Sequence, residues 1–203
     1  MKTIIKQIRS ALKHHYPLPA LALALTLPDT CGAIAYPNPK NHSKIRYIKW
    51  FDEWVSPQFA DHTGYSEDGK PLRPYFNSNM CYSLRCKFLH ESNSDIETTN
   101  FYKGDDTDHE FCDYQFELVV NGCNSYGKSW MAPHNSTTRE KTTYRVSIDI
   151  CNLCETICDA VERFIETRDM EDFFNHQISY IDIEETSSRM RLIHRPPSGQ
   201  RTL

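Results

Sequence analysis

Glycine is scarce in this sequence, at 7 of 203 residues. Loops that cradle phosphates rely on closely spaced glycines, because the backbone must approach the ligand. The chain contains no G-x-x-x-x-G-K-[ST] and no G-x-G-x-x-G, and it also lacks the zinc-protease pattern H-E-x-x-H. The sequence therefore argues against a nucleoside triphosphate loop, a dinucleotide-binding loop and a metalloprotease site.

The sequence also lacks the bulk positive charge of a non-specific nucleic-acid binder, since its net charge is −4. Residues 1–28 carry four basic residues and no acidic ones, and so do residues 189–203. The segment 29–188 therefore carries 15 basic and 27 acidic residues, a net charge of −12. The basic ends are interpreted as solvated termini, with contact to nucleic acid or another anionic partner as the alternative.

No run approaches the roughly eighteen apolar residues that span a bilayer, so we expect a soluble protein without a membrane partner. The N-terminus also permits a signal peptide, with a basic segment, the run "LPALALALTL" and a cleavage site "AIA" at residues 33–35. Several cysteines lie in apolar helical stripes, where a free thiol behaves as a small hydrophobe, which favours a reduced, cytoplasmic protein. The alternative is a secreted, disulfide-linked protein. The eight cysteines are 31, 81, 86, 112, 123, 151, 154 and 158.

Apolar periodicity predicts an amphipathic helix over residues 3–14, with Ile4, Ile8 and Leu12 on one face. The run "LPALALALTL" alternates like a strand, but its alanine and leucine content favours a buried helix ending around residues 28–32. "PNPKN" is a break in the chain.

"SKIRYIKWFDEWV" predicts a further helix, with Ser43 as N-cap and Ile45, Ile48 and Phe51 or Val55 as its buried stripe. Its aromatic side chains are interpreted as core or dimer face, with base stacking as the alternative. They are Tyr47, Trp50, Phe51 and Trp54.

Residues 57–77 are rich in proline, glycine and acidic residues and are predicted to be loop. A helix follows over residues 78–91, and an acidic connection follows that helix. The segments "EFCDYQFELVV" and "TTYRVSIDI" alternate with period two around Asn121 and Gly122, which predicts a small antiparallel hairpin or sheet. Residues 151–168 and 170–177 are predicted to be helices.

The prediction is a mainly α, α+β single domain over residues 1–203. A helical bundle is expected at 3–91 and 150–177, a β insertion at about 110–149, and a basic flexible tail at 189–203.

Arg85 occupies an unusual position on the predicted helix 78–91. A projection at 100° per residue places it near the middle of an apolar arc that includes Leu84, Phe88 and Leu89. An unpaired charge among apolar neighbours is very costly. Arg85 therefore either meets a carboxylate or lines a cleft or interface that an anion can enter.

His90 follows Arg85 by five positions, about 140° around an ideal helix. The two side chains are therefore expected to converge only if the helix unwinds near Leu89 or if two copies meet on a two-fold axis. The same Arg-x4-His spacing occurs at positions 9 and 14 and at 189 and 194, in the basic ends. Only the central occurrence lies on a helix that reads as buried.

The stretch "YSLRCKFLHE" resembles the Arg-x(4–6)-His signature of the HEPN superfamily, small helical domains named for higher eukaryotes and prokaryotes nucleotide-binding. The resemblance covers about ten residues closely and the helical opening, residues 1–91, loosely. It implies a HEPN-like helical bundle and a metal-independent ribonuclease site formed at a homodimer interface. Cys86 departs from the family pattern, which usually has a polar residue there.

The resemblance implies that Arg85 binds the scissile phosphate and stabilises its developing charge. It implies that His90 moves a proton during attack by the RNA 2′-hydroxyl. These residue types suit the chemistry, because a guanidinium pairs with phosphate oxygens and an imidazole titrates near neutral pH. Asp29 is a candidate for orienting a catalytic group, although a helix-terminal acid is the simpler interpretation.

Cys151, Cys154 and Cys158 fall on one stripe of their helix, so they are interpreted as core rather than as zinc ligands. We expect no metal and no cofactor.

The leading hypothesis is a HEPN-type endoribonuclease with catalytic residues Arg85 and His90, with a toxin or phage-defence role and a protein antitoxin implied by the resemblance alone. The alternative is a non-catalytic helical dimerisation or interaction module in which Arg85 is a structural ion-pair residue.

Overall fold

The computed structural model describes residues 1–38, 40, 42–65, 71–96, 112–131, 141–176, 181–184 and 187. It is mostly helical with a small mixed sheet, which confirms the predicted α+β class. The helices are α1 (Lys2–Lys13), α2 (Pro17–Ala24), α3 (Leu27–Ala35), α4 (Ser43–Trp54), α5 (Ser78–Glu91) and α6 (Ile150–Glu166). The strands are β1 (Ala60–Tyr65), β2 (Pro71–Pro74), β3 (Cys112–Val119), β4 (Ser125–Met131) and β5 (Lys141–Asp149). Short 3₁₀ helices lie at Ser56–Phe59 and Met170–His176.

The apolar run after α1 forms two helices rather than the single predicted helix. α2 ends at Ala24 and α3 begins at Leu27, with the Thr26 hydroxyl donating to the Leu23 carbonyl at 2.7 Å. Pro28 explains the break, because proline lacks an N–H and is tolerated only in the first turn of a helix. The restart places Asp29 in the first turn of α3, near N–H groups that favour a negative charge.

The segment Pro17–Ala35, 19 residues that include α2 and α3, is long and apolar enough to cross a membrane. This finding corrects the expectation that no such run exists. Length and composition alone are weak evidence for a span, because a core helix or an N-terminal signal sequence passes the same test. In this fold Ala20, Leu21 and Ala24 are fully buried.

α4 contributes an aromatic face to the core. Tyr47, Trp50 and Phe51 are fully buried, which confirms the core interpretation for these three, whereas Trp54 is partly buried and packs against the core. The predicted stripe is wrong at Ile45, which is 50% exposed. The helix begins at Ser43, and the cap position is His42.

The prediction that residues 57–77 are loop is wrong at β1 and β2, which pair as an antiparallel ribbon with Ala60 opposite Pro74. Proline and glycine predict loop in a sequence, yet an edge strand tolerates proline because one side makes no ladder bonds. The Tyr75 ring, just after β2, stacks on Tyr126 of β4 at 4.5 Å between centroids.

The predicted antiparallel pairing is only partly right. β5 lies between β3 and β4, parallel to β3 and antiparallel to β4. The loop between β3 and β4, with Asn121 and Gly122, crosses the end of β5. There the Gly122 N–H donates to Asp149 Oδ2 at 2.9 Å, and the Asp149 N–H donates to Asn124 Oδ1 at 2.8 Å. Asp149 also caps α6 through the Asn152 N–H at 2.9 Å.

α6 packs along the bundle with Leu153, Ile157, Val161 and Phe164 fully buried, as its periodicity predicts. The inward face of the sheet joins this core through Val146 and Ile148. The basic tail at 189–203 and most of the acidic connection lie outside the described residues.

Candidate functional site

The Arg85 guanidinium meets a carboxylate from another helix. Its Nε donates to Asp29 Oδ2 at 3.0 Å, and its Nη2 lies 2.9 Å from the same oxygen. The two side chains are 23% and 24% exposed, so the ion pair is only partly screened from water. Of the two possibilities that the sequence left open, the carboxylate partner is present. The Arg85 side chain nevertheless remains partly accessible to solvent, so an anion can still approach it.

The same guanidinium also contacts His90. Arg85 Nη1 lies 3.3 Å from His90 Nε2. A guanidinium has donors only, so Nε2 must accept, which corresponds to a neutral imidazole carrying its proton on Nδ1. α5 remains helical to Glu91 and ends at Ser92, which adopts the left-handed conformation with φ 52° and ψ 37°.

The contact therefore needs neither an unwound helix nor a second copy, contrary to the expectation from the helical projection. The long arginine side chain reaches around the helix and covers the angle between the two positions. The structure thus brings Arg85, His90 and Asp29 together within one chain.

The site lies where α5 leaves the core. The buried residues of α5 lie in its N-terminal half and are Ser78, Met80, Cys81 and Leu84. Phe88 and Leu89, expected to be buried, are only partly so, and His90 is exposed. A ligand in solution therefore has access to the Arg85–His90 contact.

An aromatic side chain and a thiol border the guanidinium. Arg85 Cζ lies 5.9 Å from the centre of the Tyr82 ring, and Nη1 lies 4.0 Å from Cys86 Sγ. Lys44, at the start of α4, approaches the same ring, with Nζ 5.6 Å from its centre. Tyr82 thus links Arg85 to a second cation through contacts that an aromatic face favours.

Burial raises the pKa of the Asp29 carboxyl, and the positive charges of Arg85 and Arg46 oppose that shift without cancelling it. Burial also lowers the pKa of the Arg85 guanidinium, but Asp29 and Cys86 outweigh it, so the net change is upward. A guanidinium is charged at every ordinary pH. Asp29 is therefore the member of the pair whose charge depends on pH.

In the N-terminal Arg-x4-His pair, Arg9 and His14 each contact other groups. His14 Nδ1 contacts the Ser10 carbonyl at 2.7 Å, while Arg9 lies among acidic side chains of α6. The pair at positions 189 and 194 lies outside the described residues. The partners of Arg9 are Glu155 at 3.0 Å and Asp159 and Glu162 at 2.8 Å.

The cysteines of α6 belong to the core, as predicted. Cys154 and Cys158 are fully buried, and Cys151 is partly buried. Within the described part of the chain, no group of three or more histidine, cysteine or acidic side chains is arranged to hold a metal ion.

Sequence reasoning missed Arg46, on α4. Its charge acts on Asp29, and its Nε is buried without a hydrogen-bond partner among the described residues. The signal was present in the sequence, because Arg46 precedes the core residue Trp50 by four positions and therefore lies on the core side of the helix.

The comparisons with known proteins add no relative: no family model, no curated protein and no solved structure matches this chain.

Proposed function

We propose that the protein is a metal-independent endoribonuclease in which Arg85 and His90 act on one phosphodiester. The observation that supports this most directly is the 3.3 Å contact between Arg85 Nη1 and His90 Nε2 at an accessible edge of the bundle. A fixed cation and a group that can take up a proton are the two elements that RNA cleavage by its own 2′-hydroxyl requires.

In the proposed reaction the 2′-hydroxyl oxygen attacks the neighbouring phosphorus as its proton passes to His90 Nε2. The bond from phosphorus to the 5′-oxygen breaks, and that oxygen takes a proton from the imidazolium or from water. The products are a 2′,3′-cyclic phosphate and a 5′-hydroxyl. Arg85 stabilises the negative charge that develops on the non-bridging oxygens.

Substrate binding frees the His90 nitrogen in this scheme. In the unbound site Nε2 accepts from Arg85 Nη1, so its lone pair is engaged. A phosphate oxygen is charged and therefore a stronger acceptor than a neutral imidazole. When the phosphate takes over Nη1, Nε2 becomes available to the 2′-hydroxyl.

Asp29 acts as a positioning residue in this proposal. It holds the Nε and Nη2 edge of Arg85 through one carboxylate oxygen, so the Nη1 corner stays directed towards His90. A guanidinium whose orientation is fixed before the substrate arrives loses less conformational entropy on binding.

The second candidate is a non-catalytic helical interaction module. The Arg85–Asp29 ion pair favours it, because a structural pair between packed helices needs no substrate. In that case the Arg85–His90 contact is a surface interaction without chemical consequence.

RNA cleavage in EDTA separates the two candidates, with the wild type compared with Arg85→Ala and His90→Ala. The nuclease proposal expects each substitution to lower the rate by roughly 10²-fold or more, with 2′,3′-cyclic phosphate ends in the product. His14→Ala is the matched control, because His14 also ends a helix with the same arginine spacing. Cleavage that both site substitutions leave unchanged would remove the proposed site in favour of the interaction module.

We also propose a cytoplasmic homodimer. A toxin or phage-defence role, with a protein antitoxin, rests on the HEPN resemblance of residues 82–91 alone. Because Arg85 and His90 meet within one chain, dimerisation would serve to widen the RNA-binding surface rather than to complete the pair.

A further inference from the structure

Arg46 carries a guanidinium whose Nε has no hydrogen-bond partner among the residues that the structure describes. Its Nε is buried, and within the described chain the side chain makes no hydrogen bond and no ion pair. The residue as a whole is only partly buried, so part of Arg46 remains accessible to solvent. A buried polar atom that forgoes its hydrogen bond costs free energy, so the position calls for an explanation.

Close packing between α3 and α4 determines where Arg46 lies. A Cβ atom on Gly32 would stand 2.6 Å from the Arg46 carbonyl oxygen and 3.2 Å from the Arg46 Cβ. Asp29 is three residues before Gly32 on α3, on the same side of that helix. Arg85 contacts this carboxylate directly, whereas Arg46 acts on it through its charge.

The surroundings of this carboxylate are positive although residues 29–188 are acidic. Arg46, Arg85 and Lys44 are three cations around Asp29 and Tyr82. Lys87, on the same helix as Arg85, pairs with Glu91 at 3.0 Å and adds no net charge. Among the described residues, this one carboxylate does not balance the three cations, so the cluster fits a ligand with more than one negative charge.

We propose that Arg46 binds a second phosphate of the RNA strand, next to the phosphate that Arg85 binds. The inference rests on the proposed ribonuclease function and extends it to a substrate of at least two consecutive phosphates. An RNA strand carries one negatively charged phosphate per nucleotide, so it presents consecutive negative charges. Both guanidiniums act on the same carboxylate, and each presents a fork of donors that suits phosphate oxygens.

Binding of an uncleavable RNA tests the contact separately from catalysis. A 2′-O-methyl single-stranded octamer lacks the attacking hydroxyl, so its affinity in EDTA reports binding alone. Arg46→Ala is expected to weaken binding about 10-fold and to reduce the slope of log K against log salt by about 0.7, the value for one phosphate contact on a single strand. Arg46→Lys keeps the charge without the fork and is expected to recover most of the slope and part of the affinity.

Cleavage kinetics provide the second readout. Because Arg46 is placed on a phosphate that does not react, Arg46→Ala is expected to raise KM about 10-fold with kcat within about 2-fold of the wild type. Arg163→Ala is the charge-matched control, because Arg163 donates to the Trp54 carbonyl at the opposite end of α4. Thermal unfolding of each variant checks that the fold is retained.

The outcomes separate this inference from the function on which it rests. If Arg85→Ala abolishes cleavage while Arg46→Ala leaves KM, affinity and salt slope at the values of Arg163→Ala, Arg46 is not a phosphate contact and the nuclease proposal stands. If the wild type neither binds the octamer nor cleaves RNA, both proposals are wrong.

Discussion

Arg85 uses one edge of its guanidinium for Asp29, since Nε and Nη2 both point to the same carboxylate oxygen at 3.0 and 2.9 Å. The remaining corner, Nη1, is left for His90. A structural ion pair and a phosphate-binding role are therefore compatible in this side chain, because they use different nitrogens. Variants that affect the ion pair with Asp29 and the proposed phosphate contact to different extents distinguish the two roles.

Arg85→Ala is expected to destabilise the protein by about 1–2 kcal/mol, between the values for exposed and buried ion pairs. The loss leaves the Asp29 carboxylate partly buried and unpaired. Removing the guanidinium raises the pKa of Asp29 further. Protonation of Asp29 at low pH then removes the unpaired charge and reduces the destabilisation of the variant. Urea unfolding should therefore show a smaller loss near about pH 4 than at neutral pH.

The double variant Asp29→Asn with Arg85→Ala is the control for that prediction, because its carboxylate is absent. Its stability difference from the wild type should change less between the two pH values than that of Arg85→Ala. Equal pH dependence in both variants would contradict the assigned role of Asp29.

Gly32→Ala is expected to destabilise the protein by about 1–3 kcal/mol, because the new Cβ would stand 2.6 Å from a backbone oxygen of α4. A carbonyl of a packed helix cannot move aside as a flexible side chain can. Gly127→Ala is the control, since a Cβ there has no atom within 4 Å. Thermal unfolding that ranks the two variants equally would show that α3 and α4 do not pack as closely as described.

Glu162→Gln is expected to change how stability depends on acid pH. The hydrogen bond from Arg9, with a smaller contribution from its charge, lowers the pKa of Glu162 below the usual 4.5. A carboxylate with a lowered pKa stabilises the fold above its ordinary pKa, and this stabilisation is lost as the pH falls through the lowered value.

The Arg9 and Glu162 side chains are 37% and 46% exposed, so the contribution is below about 1 kcal/mol and decreases with salt. Acid titration of the unfolding free energy at low and high salt measures it. Glu166→Gln, an exposed acid on the same helix, should leave the titration unchanged. A Glu166→Gln effect as large as that of Glu162→Gln would argue against a specific Arg9 contact.

The thiols are expected to react in an order set by burial. Cys123 is exposed, whereas burial raises the pKa of the Cys81 and Cys158 thiols to about 12. The thiolate is the reactive form, so a maleimide reagent should label Cys123 in the native protein and spare Cys81 and Cys158 until unfolding. Mass spectrometry of peptides from native and urea-treated protein measures the order.

Thiol counting after denaturation tests the secreted alternative at the same time. Eight titratable thiols without a reductant would exclude the disulfide-linked form, since the chain has eight cysteines. Fewer than eight would argue against the proposed reduced compartment. Early labelling of Cys158 would contradict its place in the core.

The predicted helix over residues 78–91 matches α5 because its signals are local. Asn77 accepts a hydrogen bond from the Met80 N–H at 3.0 Å, and such a cap follows from the side chain itself. The same local logic identified Arg85 as a charge on an apolar arc and the cysteines of α6 as core. Local patterns were less successful at β1 and β2, where proline and glycine suggested loop. They also placed the end of the second helix at residues 28–32, whereas α2 ends at Ala24.

The amino-acid sequence by itself determined the buried face of α6, the positions of strands β3 and β5, and the unusual setting of Arg85, because these depend on neighbours within a few residues. Only the tertiary structure decided that Asp29, 56 residues away, holds Arg85 and that His90 meets the same guanidinium. It also decided that β5 lies between β3 and β4. Periodicity gives the face on which a side chain lies, but the packing of distant segments determines which partner meets it.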